Sequence, residues 1–180
     1  VDNVSNSNGR VGMWGISYPG YFVAAGMIDA HPALKAASPQ APVSNLYMGD
    51  DAYHNGAFYL AANFGFCTFF VEHKEPTRPK QRVPFEYGTT DGYEFFLRLG
   101  SLSQADERYF HRKNPYWTDT VEHTTYDVFW KERDISRHLS NTPPAVMTVG
   151  GWFDAEDLAG PFEVFHSVEE RNPDVDNHLV

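Results

Sequence analysis

The sequence predicts an α/β fold with a helical insertion. Three observations carry this. Residues 1–44 read as strand, helix and strand; residues 141–180 repeat that order; residues 45–140 have helical texture broken by Pro- and Gly-bearing loops, without clear alternating strands. Strands separated by helices imply a parallel sheet, because parallel neighbours need a crossover between them. The predicted layout is therefore a sheet core over 1–44 and 141–180, with a helical cap over 45–140.

The elements follow in order. Asn8-Gly9 is a turn signal. Val11 and Met13 alternate within residues 10–14, which read as a short strand. Residues 15–20, "GISYPG", form a turn, and the mostly apolar residues 21–30 read as a buried helix closed by His31-Pro32. "ALKAASPQAPV" supplies a short strand and then loop. In the insertion, "LYMGDDAYHNGAFYLAANFGFCTFF", "DGYEFFLRLG" and "SQADERYFHRKNPYW" read as helical segments, and residues 72–84, "EHKEPTRPKQRVP", as a loop. Gly100 is a helix stop and residues 103–106 are a helix start. After Pro143-Pro144, "AVMTVGG" is a β-branched run and reads as a buried strand. "WFDAED" follows its carboxyl end. A helix over about 158–171 tolerates Pro161 because it falls in the first turn, and "NHLV" begins a further strand.

Composition narrows the function. A net charge of −10 without basic runs argues against nucleic acid as a partner. No segment approaches the length of a membrane span. The single cysteine, Cys67, sits among apolar neighbours and reads as a buried thiol; it excludes an internal disulfide and a multi-cysteine metal site. The 16% aromatic share tilts towards a pocket for a small organic ligand. The opening "VDNVSNSNG" carries no visible signal peptide, and both ends read as parts of a longer protein.

Ser17 is the residue with a chemical signature. It lies between Gly15 and Gly20, after a strand and before a helix. Gly-x-Ser-x-Gly in that context is a nucleophile elbow; here it is one residue wider, Gly-x-Ser-Tyr-x-Gly. The glycines relieve crowding between strand and helix. The helix amino end favours developing negative charge, and the N–H of Tyr18 is placed as an oxyanion donor. Such a serine needs a base and an orienting acid. Asp154 stands just beyond the carboxyl end of "AVMTVGG", where it reads either as that acid or as a helix cap.

Taken together, "GRVGMWGISYPG", "HPALKAASPQAP", "MGDDAYHNGAF", "NPYW" and "GGWFDAED" resemble the α-amino acid ester hydrolases and glutaryl-7-aminocephalosporanic acid acylases. These belong to the group of α/β-hydrolases that includes cocaine esterase and X-Pro dipeptidyl-peptidase. The resemblance runs along nearly the whole chain. It implies a bacterial, periplasmic or secreted serine hydrolase, often oligomeric, that needs no cofactor or metal. The chain would be a partial α/β-hydrolase sheet with its helical cap, lacking the first strands, the last strands and a jelly-roll domain. By the same resemblance Ser17 is the nucleophile, Asp154 the triad acid and Tyr18 the backbone oxyanion donor. Asp51, Glu156 and Asp157 match carboxylates that hold a substrate's α-ammonium. Three acids around one cation would make strong charge-assisted bonds. The same acids could instead be solvated residues at helix starts. No glycine-bearing calcium loop surrounds them. The catalytic histidine is expected past Val180; His54, His166 and His178 are not assigned as the base. The implied substrate is a small ester or amide of an α-amino acid, with β-lactam acyl side chains included. The alternatives are a cocaine-esterase-like or X-Pro dipeptidyl-peptidase-like hydrolase, or an inactive chain that keeps only the pocket.

Overall fold

The structure, a computed structural model, describes residues 1, 3–70 and 84–180. The loop expected over 72–84 therefore lies, but for Pro84, outside the described residues. The fold is α/β, and the chain divides into two compact units, one formed by residues 1–57 with 126–180 and the other by 58–125.

The first unit is built on a four-stranded sheet. β1 (Val11–Ile16), β2 (Leu34–Gln40), β5 (Ala145–Thr148) and β6 (Asn177–Leu179) lie side by side in that order. All three pairings are parallel: Met13 pairs with Ala37, Ala36 with Ala145 and Met147 with His178. Each parallel step requires a crossover. α1 (Tyr18–Gly26) makes the first and α7 (Ala159–Arg171) the last. The core lies between these helices and one sheet face. Val23, Ala24 and Met27 meet Ala37, Val146, Val164 and Val168, with Ile135 and Leu139 closing the cluster.

α1 begins three residues earlier than its apolar run predicts and ends sooner. It begins at Tyr18 because the chain reverses within a single residue, Ser17. Pro19 then falls in the first turn, where it sacrifices no hydrogen bond. It ends because Asp29 takes a left-handed φ of 48° and donates its N–H to Asn141 O, 2.9 Å away.

α6 (Val128–Arg133) and a 3₁₀ turn (Ile135–His138) complete this unit. Asp127 and Asp134 cap them, accepting from the N–H of Phe129 and Ser136. One short hairpin departs from the strand-free expectation: β3 (Tyr53–His54) pairs with β4 (Ala57–Phe58). Its turn is Asn55-Gly56, with φ of 51° and 87°, the two positive values that a two-residue turn of this kind demands.

The second unit is helical. It comprises α2 (Leu60–Phe69), α3 (Gly92–Leu99), α4 (Leu102–Ala105), a π turn (Asp106–Phe110) and α5 (Pro115–Glu122). Phe64 is fully buried, with Phe95, Phe110 and Trp117 ring centroids 5.2, 5.2 and 5.9 Å away. Cys67 packs in this core, and burial pushes its thiol up to about 12, which leaves it unreactive. Gly100 stops α3 at φ 81° as expected, but the next helix starts before the expected Ser103. Ser101 is the cap: it accepts from Gln104 N while the Gln104 side chain accepts from Ser101 N, a reciprocal capping box. Asn114 caps α5 by accepting from Trp117 N and also donates to Cys67 O. Among the described residues no helix is long and apolar enough to cross a membrane.

Candidate active site

Ser17 sits where β1 becomes α1, with φ 61° and ψ −123°. A residue with a Cβ rarely occupies that region, and holding it there costs about 1–3 kcal/mol. The surroundings enforce it. Ser17 N donates to Gln40 O at 2.8 Å, and Ser17 O accepts from Tyr21 N at 3.1 Å. The flanking glycines leave no alternative. A Cβ on Gly15 would lie 2.5 Å from Pro19 O, and one on Gly20 would lie 2.7 Å from Gln40 O. Tyr18 opens α1, so its N–H lies at a helix amino end, where backbone donors have no intrahelical acceptor. Its half-exposed ring packs edge-on against Phe22, 4.7 Å away.

The side-chain partner of Ser17 is Asp157. Ser17 Oγ donates to Asp157 Oδ2 at 3.1 Å, and no histidine among the described residues bonds the hydroxyl. Asp157 is only 3% exposed. Asp51 shares a hydrogen bond with it, and the charge of Glu156 acts on both. Asp51 and Asp157, over a hundred positions apart in sequence, thus share one hydrogen bond, and Asp157 shares another with Ser17. Burial pushes the Asp51 carboxyl up to about 9, helped by the charge of Asp157 and by the proton that Asp51 donates to it. Burial likewise lifts Asp157 to about 6, while the bonds it accepts from Asp51 and Ser17 pull it back. Near neutral pH the Asp51–Asp157 pair therefore carries one proton between two carboxyls. That is the behaviour of crowded acids without a cation.

Asp154 has a different local role. It lies past the carboxyl end of β5, on the same side of the sheet as Ser17, with β2 between their strands. Its Oδ1 accepts from the N–H of Glu156 at 3.0 Å and of Asp157 at 2.9 Å. It thereby shapes the turn that presents both acids. It has no bond to Ser17, and its Oδ2 makes no hydrogen bond to another described residue. Asp154, Glu156, His54 and Phe162 line an open cleft of about 430 Å³. His178 lies elsewhere, paired with Asp176 at 2.8 Å, and His166 packs on Phe165.

Asp50 escaped the sequence reading as a structural tie. It is fully buried. Its Oδ2 accepts from Ser44 N at 2.8 Å, Ser44 Oγ at 3.0 Å and Asn45 N at 3.1 Å, and its Oδ1 accepts from Gly160 N at 3.1 Å. It thus joins the loop that carries Asp51 to the first turn of α7, three residues past Asp157. The fit is close: a Cβ on Gly160 would lie 1.7 Å from Pro42 O. Ser44 Oγ also bonds Glu163. One hydroxyl proton cannot serve two carboxylates, so one must be protonated. Asp50 already accepts three N–H groups. Burial raises the carboxyls of Asp50 and Glu163 alike above the usual range, and the bonds that Asp50 accepts pull it back. The only sequence signal was the polar spacing of "SNLYMGDD"; the partner Gly160 is too distant to infer.

A family model described as X-Pro dipeptidyl-peptidase (S15 family) matches residues 1–180. No curated protein matches the chain. Among solved structures it is similar to an aminopeptidase from the marine sediment archaeon Thaumarchaeota archaeon. That match has 30% identity and a TM-score of 0.84 over 96% of this chain and 28% of the other. It is also similar to a selenomethionine-labelled α-amino acid ester hydrolase, with 32% identity and a TM-score of 0.79 over 99% of this chain and 28% of the other. The chain thus spans 28% of the length of either solved relative. With the match running its full length, and both solved relatives at 30% identity or more, the chain belongs to the X-Pro dipeptidyl-peptidase (S15) family.

Proposed function

We propose that the protein is a serine hydrolase of esters or amides of α-amino acids, built as an α/β-hydrolase with Ser17 on the nucleophile elbow. One observation carries the reading: a serine in an enforced, strained turn donates its hydroxyl to the buried Asp157, which shares a hydrogen bond with the half-buried Asp51. Family membership supports the reaction class. The names of both solved relatives, an aminopeptidase and an α-amino acid ester hydrolase, describe chemistry next to a free α-amine.

In the proposed reaction Ser17 Oγ attacks the substrate carbonyl carbon and its proton passes to an imidazole from outside these 180 residues. Asp154 orients that imidazole through Oδ2, since Oδ1 is occupied by two backbone N–H groups. The N–H of Tyr18 stabilises the oxyanion. The C–O or C–N bond then breaks, the leaving group takes the proton from the imidazole, and water hydrolyses the acyl-enzyme by the reverse proton path. Asp51, Glu156 and Asp157 bind the α-ammonium, which supplies the positive charge that the crowded acids lack.

The test uses the full-length protein and phenylglycine methyl ester. Ser17→Ala should lose at least about a thousandfold in kcat. Asp51→Asn and Glu156→Gln should each lose about tenfold to a hundredfold in kcat/KM on that ester, since a charge-assisted bond is worth about 1.5–3 kcal/mol. An ester without the amine should not share the loss. Equal losses on both esters would assign the acids to folding and favour a cocaine-esterase-like enzyme with an uncharged acyl pocket.

A further inference from the structure

The hydrogen bond of Ser17 has a consequence for how an amine would be recognised. A hydroxyl has one proton, and that of Ser17 is donated to Asp157. While it is there, it is not shared with an imidazole, and Oγ is not poised to lose it. An ionised carboxylate also holds a hydroxyl more firmly than a neutral base does. The backbone on both sides is fixed. Ser17 is tied at N and O, and Asp157 N donates to Asp154 Oδ1 at 2.9 Å. Gly15 and Gly20 are packed so closely that a Cβ on either would meet backbone oxygen. Release of the hydroxyl therefore requires only a rotation about χ1 of Ser17 between staggered positions.

An ammonium is the group suited to trigger that rotation. It brings three donors, no acceptor and a positive charge. Placed among Asp51, Glu156 and Asp157, it competes directly with the Ser17 hydroxyl for Asp157. We propose that Asp157 couples the amine site to the nucleophile: in the empty site it holds the Ser17 hydroxyl, and a bound α-ammonium releases that hydroxyl to the general base. Amine selectivity is then expressed in the chemical step as well as in binding. This rests on Ser17 being the nucleophile and the three acids being the amine site.

The experiment follows covalent labelling of Ser17 in the full-length protein by an uncharged alkyl phosphonofluoridate. The Oγ–P bond forms, the P–F bond breaks, fluoride departs and the hydroxyl proton goes to the general base. The reagent has no amine, so it meets the enzyme in its held state. Methylammonium is added against potassium chloride and tetramethylammonium chloride at equal ionic strength. Methylammonium should accelerate labelling about tenfold, equivalent to about 1.4 kcal/mol, and the two controls should not. Asp157→Asn should label at or above the accelerated rate and ignore methylammonium. Labelling that methylammonium leaves unchanged or slows would overturn the coupling while leaving Ser17 as nucleophile. No labelling under any condition would overturn the nucleophile itself, and the coupling with it. Should the Asp157 variant fail to fold, the wild-type response to methylammonium decides alone.

Discussion

Replacing Asp51 by Asn should make the protein more stable at alkaline pH while it weakens the proposed amine site. Asp51 has an ordinary carboxyl value of 3.8 when unfolded and about 9 when folded. The sign follows from the raised value. Its contribution favours the fold fully below about pH 4 and is lost progressively as pH rises towards 9, because the folded state binds a proton that the unfolded state has released. Between pH 5 and pH 8 one such proton costs at most about 1.36 kcal/mol per pH unit, or about 4 kcal/mol. Part of that is absorbed by Asp157, which titrates with it, so about 2 kcal/mol is expected. Asn is nearly isosteric, stays neutral and can still donate to Asp157. The assay is urea denaturation of wild type and Asp51→Asn at both pH values. The variant's advantage should grow by about 2 kcal/mol from pH 5 to pH 8. An advantage that stays constant, or shrinks, would refute the shared-proton account of the pair.

Other expectations follow from the same geometry. Ser17→Gly should raise stability by about 1 kcal/mol in thermal or urea unfolding, because glycine occupies φ 61° without the cost a Cβ imposes. Gly160→Ala should destabilise by about 3 kcal/mol or more, or prevent soluble expression, because its Cβ would meet the backbone oxygen of Pro42. Phe64→Ala should cost about 3–5 kcal/mol by emptying the centre of the 58–125 core, read as a fall in the urea midpoint.

Much of the sheet could be read from the chain because its signals are local. Alternation marked β1, a β-branched run marked β5, and Pro161 fell in the first turn of α7. The glycines around Ser17 were legible for the same reason, since a tight turn imposes its demand within a few residues. The start of α1 was not, because sequence alone does not say that a single residue accomplishes the reversal. The Asn55-Gly56 hairpin carried a recognisable turn pair, but its strands are two residues each, too short for alternation to register. Only the family resemblance grouped Asp51 with Asp157; no periodicity links them. Asp50 shows the opposite limit. Nothing in its neighbours marks it as buried, yet tertiary packing made it the buried acceptor for two segments of the chain.

The register of β2 against β5 also bears on how the protein folds. Ala36 pairs with Ala145, so the middle of the sheet forms only when residues about a hundred positions apart meet. In loop-closure terms the penalty is small. Relative to the short crossover between β1 and β2, about two doublings of length add about 1.2 kcal/mol. The delay is kinetic: β2 keeps an unpaired edge until β5 arrives, and such an edge invites pairing with other chains. Because residues 58–125 have their own apolar core, they can collapse first and shorten the effective tether. The insertion then acts as a timer for sheet completion, and core-weakening changes such as Phe64→Ala should increase aggregation during refolding beyond what their equilibrium cost accounts for.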